Sequence, residues 1–129
     1  MSRGRKFRLF VEEHYPFGEF ALIRVRGDNA EVGFVLADED TSHWDALREQ
    51  SMDIAQRISV LLRERGLDDV ARSSVGKDQD FFTVSIIVDC DSLDDDAIGH
   101  LARRVMGVLS EVNPYRDERG KEERECRES

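Results

Sequence analysis

Phe82-Thr83-Val84-Ser85-Ile86-Ile87-Val88 is an apolar run rich in β-branched residues, the composition of a strand. It ends at Asp89-Cys90-Asp91-Ser92 and passes into a segment of helical period that closes at Asn113-Pro114. The same plan stands 51 positions earlier, where Val35 to Leu47 lies over Ile86 to Ile98. Asp38 matches Asp89, Asp40 matches Asp91, Thr41 matches Ser92, Asp45 matches Asp96 and Ala46 matches Ala97, with Val35 and Leu47 opposite Ile86 and Ile98. This is a doubled strand-to-helix unit.

Working outward, each copy takes a preceding strand. Ahead of the first copy, Glu19 to Arg26 and Ala30 to Ala37 alternate in period two around Gly27-Asp28-Asn29, a tight-turn composition. Ahead of the second, Val70 to Val75 reads as a strand and Gly76 to Asp80 as a turn. Thr41 or Ser42 can cap a long helix whose stripe is Leu47, Ser51, Ile54, Ile58, Leu61 and Arg65, with Gly66 as its stop. The second helix starts near Ser92, and Ile98, Leu101, Ala102, Val105, Val108, Leu109 and Val112 form its buried side. Near the N-terminus, Lys6 to Val11 alternates too, which predicts a first strand with Phe7, Leu9 and Val11 on one side.

The order that results is strand, then strand-strand-helix twice. It predicts an α+β two-layer sandwich: a mainly antiparallel sheet of about five strands with two long helices on one face, β-ββα-ββα, similar to a permuted ferredoxin-like arrangement. Residues 1–114 are expected to form a single domain, since 129 residues with 40% apolar content suit one core. The almost wholly charged stretch 115–129 is expected to be a disordered tail.

Charge is unevenly distributed. Residues 1–26 carry six basic and three acidic groups, residues 27–115 eight and nineteen, within a formal net charge of −9. An acidic body repels a nucleic-acid backbone, whereas the basic front end does not. Two cysteines, Cys90 and Cys126, make neither a disulfide framework nor a metal spacing, which fits a cytoplasmic protein. Neither a signal segment nor a membrane-spanning apolar run is present in the sequence, so no membrane partner is expected.

Catalytic patterns are missing from the sequence. No histidine pair has ligand spacing, no glycine-rich loop precedes a helix, and no nucleophile elbow occurs. Cys90 stands among carboxylates, which hold a thiol protonated. Neither an enzyme nor a cofactor is expected. Asp38, Asp40, Asp89 and Asp91 are the candidate metal ligands, because Asp-x-Asp at a strand end presents two oxygen donors from one loop. Each pair also directly precedes a helix, where acidic residues serve as caps. A metal-dependent enzyme using these loops is therefore the third reading.

The sheet's second face is the more informative feature. If the helices cover Ile23, Val25, Phe34, Val84, Ile86 and Val88, the other side shows Phe10, Phe20, Leu22, Val35, Phe81 and Ile87, interleaved with Arg8, Arg24 and Arg26. A face that apolar is expected to be covered, most simply by a second copy in a homodimer. The leading expectation is thus a non-catalytic protein-binding or regulatory module, homodimeric through its sheet, with an acidic inhibitor as one form. The alternative is a single-stranded nucleic-acid binder, with bases stacked on the aromatic rings and phosphates held by the arginines. Gly33-Phe34-Val35 is similar to the centre of the third-strand signature of the RNA-recognition motif, but Ala30-Glu31 stands where a basic-glycine start is expected and Ala37 where an aromatic is.

Overall fold

The computed structural model describes residues 1–15, 21–37, 44–78 and 81–114. Its elements run α1 (Arg3–His14), β1 (Ala21–Arg26), β2 (Asn29–Ala37), α2 (Trp44–Glu64), β3 (Ala71–Asp78), β4 (Phe81–Asp89) and α3 (Asp95–Val112). The class is α+β with a four-stranded antiparallel sheet, β1-β2-β4-β3, and three helices. This replaces the five strands and two helices of the ferredoxin-like permutation. The difference lies at the N-terminus, and residues 115–129 are outside the described part.

Residues 6–11 are helical, not extended. Over six residues the alternation of Phe7, Leu9 and Val11 is indistinguishable from a helical stripe, and the wider context decides between them. Gly4, Phe7 and Val11, at i, i+3 and i+7, are the buried residues of α1. Ser2 is its N-cap, the hydroxyl accepting from the Arg5 N–H at 3.3 Å. Arg8 and Glu12 form an i,i+4 ion pair at 2.6 Å.

The remaining elements follow the sequence closely. Gly27, at φ 58°, and Asp28 close the β1–β2 hairpin between Arg26 and Asn29, which face each other. Helix α2 ends in a Schellman pattern: Leu67 N–H donates to the Leu62 carbonyl at 2.8 Å and Gly66 N–H to that of Arg63 at 3.2 Å, with Gly66 at φ 68°. Helix α3 begins three residues later than Ser92, with Asp94 as its cap, accepting from Ala97 N–H at 2.8 Å. Ser92 sits in the left-handed region at φ 64° and turns the chain ahead of that cap. Strand β3 runs on through Gly76 and Lys77, paired with Thr83 and Phe82, where a turn was expected.

The three helices form one layer. Helix α1 lies on β1 and β2, α2 on β3 and β4, and α3 between them, touching both. They cover the face bearing Ala30, Val32, Phe34 and Leu36 of β2 and Phe82, Val84, Ile86 and Val88 of β4, all buried. Burying some two dozen such side chains is the main stabilising term of the fold.

Candidate interaction surface

Strand register places the residues of the opposite face in rows. One row reads Arg24, Glu31, Ile87, Arg72 across β1, β2, β4 and β3; the next reads Leu22, Gly33, Ser85, Ser74. Beyond it come Val35, Thr83 and Gly76, and then Phe81 at the far end; Arg26, Asn29 and Asp89 close the near end. The face is therefore polarised. Arginines gather at one end around Ile87, Leu22 stands in the middle row of small residues, and Val35 and Phe81 lie toward the other end.

The middle is tightly closed. Ser85 is 1% exposed and Thr83 5%. At Gly33 an added Cβ would stand 2.1 Å from the Val84 carbonyl oxygen and 2.5 Å from Ser85 Cα, so no side chain fits there. Ser85 Oγ donates to a carboxylate oxygen of Glu31 at 2.6 Å, and Arg24 Nη1 lies 3.9 Å from the other oxygen. Glu31 is thereby held between a hydroxyl and a guanidinium.

Of the residues expected on this face, Leu22, Arg24, Arg26, Val35, Phe81 and Ile87 are brought together. Arg8 and Phe10 are not, because their segment is helix. Arg8 is exposed and paired with Glu12. Phe10 packs onto α3, where a Cβ on Gly99 would come 3.2 Å from its ring; it stacks on His14 with ring centroids 4.1 Å apart, and the Arg103 guanidinium lies 5.4 Å over it. Phe20 lies outside the described residues. The face is consequently smaller and more polar than expected. Glu31 and Arg72 were not expected in it, although a two-residue turn at Gly27-Asp28 already sets Glu31 opposite Arg24.

The acidic corners behave as structural joints where they are described. Asp89 accepts from the Asp91 N–H at 3.0 Å, and Asp91 faces Arg3 at 3.9 Å. Arg3 also donates its backbone N–H to Asp28 at 3.1 Å and its Nε to the Leu93 carbonyl at 3.0 Å, while Lys6 pairs with Asp95 at 2.8 Å. Arg3, Lys6, Leu93, Asp94, Asp95 and Asp96 line an open depression in which each cation already has an acceptor. Asp38 and Asp40 lie outside the described residues. The strands leading into the two corners end at opposite edges, with Ala37 facing Phe81 and Asp89 facing Asn29, about 27 Å apart at ~3.4 Å per residue. Among the described residues no three His, Cys, Asp or Glu side chains are placed to hold a metal ion.

Cys90 is buried and free. Burial pushes its thiol up to about 11, reinforced by the negative charges of Asp89 and Asp28. A thiol so protonated is a poor nucleophile at neutral pH. Among the described residues no helix is long and apolar enough to cross a membrane.

Taken together, the fold and this surface define a two-layer α+β protein with one polarised sheet face that no helix covers among the described residues. No family model, no curated protein and no solved structure matches the chain.

Proposed function

We propose that the chain is a non-catalytic binding module that docks another protein on the open face of its sheet. The observation that carries this reading is the polarity of the face: Arg24, Arg26 and Arg72 at one end, Val35 and Phe81 toward the other, on a body that is otherwise acidic. A mixed face of this kind matches non-obligate interfaces, which combine arginine and aromatic anchors with a polar rim. It also favours a different protein over a second copy, because a two-fold stacking of two such faces sets either arginine against arginine or the arginine end against the apolar end. The complementary partner carries carboxylates at one end of its contact surface and apolar side chains at the other.

The test is affinity capture from the native host with wild type, with the face variant Arg24→Glu/Ile87→Ser, and with Arg57→Glu on the exposed side of α2 as control. A partner retained by wild type and control but lost from the face variant supports the reading; identical capture by all three overturns it. Of the residues the nucleic-acid alternative draws on, Arg24, Arg26 and Phe81 stand on the face, Lys6, Arg8 and Phe10 belong to α1, and Phe20 lies outside the described residues. Salt-dependent binding of random single-stranded RNA, abolished by Arg24→Glu/Arg72→Glu, would replace the protein partner by nucleic acid. The metal-dependent enzyme gains no support from the described residues.

A further inference from the structure

We propose that β3 is the seat of a two-fold dimer, in which its outer edge, unpaired with any strand among the described residues, pairs antiparallel with β3 of a second copy about Val75. This does not rest on the open face being a docking surface.

The hydrogen-bonding phase of β3 is fixed at its start. Asp89 N–H donates to the Val70 carbonyl at 2.8 Å, making Val70 and Asp89 a closely spaced pair. Antiparallel ladders alternate, so Arg72, Ser74 and Gly76 bond to Ile87, Ser85 and Thr83 of β4. Ser73, Val75 and Lys77 therefore point their backbone N–H and C=O groups outward. Such an edge invites another strand unless it is blunted, and among the described residues the usual devices are missing. No proline occurs between Ala71 and Asp78. Lys77 does not stand guard over the edge, because its ammonium is drawn over the Trp44 ring at 4.5 Å.

The edge is also flanked by exposed apolar groups. Val75 is 40% exposed and Met52 55%; no β1 residue is among the exposed large hydrophobics. Helix α2 runs along β3 with Trp44 at Lys77 and the Ser59 hydroxyl 2.6 Å from that of Ser73. Met52 lies midway between Trp44 and Ser59 as Val75 lies midway between Lys77 and Ser73. Seven residues before Ser59, it shares the side of the helix that faces this edge.

The occupant follows from the strand's own pattern. A two-fold axis through Val75 sets Val75 against its counterpart, Ser73 against the mate's Lys77 and Ser74 against its Gly76. Every outward backbone group then meets an outward one. Moving the axis to Ser74 sets Asp78 against Val70, and moving it to Gly76 sets Val75 against Lys77. The Val75 axis joins apolar to apolar, while bringing the two Met52 side chains toward the axis. A strand that complements itself in this way fits a second copy of the chain, an isologous contact. The product is one continuous eight-stranded sheet whose two open faces lie on the same side.

Three measurements test this on the full chain. Light scattering on eluting protein at high micromolar concentration is expected to give the dimer mass for wild type and half that mass for Val75→Lys and for Met52→Lys; both positions are exposed, so the far-ultraviolet spectrum stays unchanged. In a Cys126→Ser background, Val75→Cys is expected to form an inter-chain disulfide under mild oxidation and Ile23→Cys on the β1 edge is not, since closely spaced antiparallel partners have Cα atoms about 5.5 Å apart, within disulfide reach. The amides of Ser73, Val75 and Lys77 are expected to exchange slowly with solvent in wild type and quickly in Val75→Lys. A monomeric wild type overturns the proposal. So does a dimer that survives both lysine substitutions, or that is lost only with the Arg24→Glu/Ile87→Ser face variant.

Discussion

Phe7 and Leu9 are two residues apart and have opposite fates. On a strand they would share a side and cost about the same to truncate. On α1, Phe7 is wholly buried and Leu9 is 38% exposed. Phe7→Ala is therefore expected to lower stability by about 3–5 kcal/mol and Leu9→Ala by less than about 1 kcal/mol, measured by denaturant unfolding. Equal losses would restore the strand. Cys90 supplies a second residue-scale expectation, with a definite sign. Its thiol is raised in the fold to about 11, from a reference of 9.0. Folding therefore favours the protonated form: the contribution is intact below about pH 9 and is lost as pH climbs through the folded value. Native Cys126→Ser protein is expected to resist a thiol reagent at pH 8 and to react at once when unfolded. A fast native reaction would contradict the burial.

Among the elements, α1 is the one whose placement depends most on polar contacts. Its buried side is narrow, three residues wide, and its N-terminal turn is tied by Arg3 to the β1–β2 turn and the β4–α3 connection, and by Lys6 to Asp95. Gly4 lets that turn approach so closely that a Cβ would stand 2.5 Å from the Asn29 carbonyl oxygen. The Lys6–Asp95 pair is largely exposed and worth about 0.2–1 kcal/mol. Lys6→Glu is expected to lower the melting temperature, since it faces the neighbouring Asp94 and Asp96 as well, and Lys6→Glu/Asp95→Lys to recover part of the loss. No recovery in that double-mutant cycle would mean the two side chains do not interact. Why α1 was hard to read is now physical: a twelve-residue helix with a three-residue stripe carries little periodic signal, and the cap at Ser2 lies outside the alternating stretch. The two longer helices and the four strands were legible because each repeats its pattern over more residues or is punctuated by Gly27, Gly66 or Pro114.

At the scale of the whole molecule, the doubling in the sequence survives as two hairpin-helix units joined through β2 and β4. Two-fold correspondence would seat α3 on β1 and β2 as α2 sits on β3 and β4. That seat is taken by α1, and α3 lies between the two. Identical strand patterns cannot announce which of three helices occupies which seat, since burial of any apolar stripe satisfies the sheet. The open face was legible strand by strand, through Leu22, Arg24, Arg26, Val35, Phe81 and Ile87. Arg72 and Glu31 became visible only with the register that sets them in one row.

The seat of α1 has a further consequence during synthesis. Its polar ties reach residues about ninety positions downstream, from Arg3 to Leu93 and from Lys6 to Asp95. A ribosome adding ~5–20 residues per second leaves that helix without its final neighbours for about 5–20 s. During that interval Phe7 and Val11 are uncovered on the nascent chain, a natural binding stretch for a chaperone, and they are withdrawn only when the last helix has emerged.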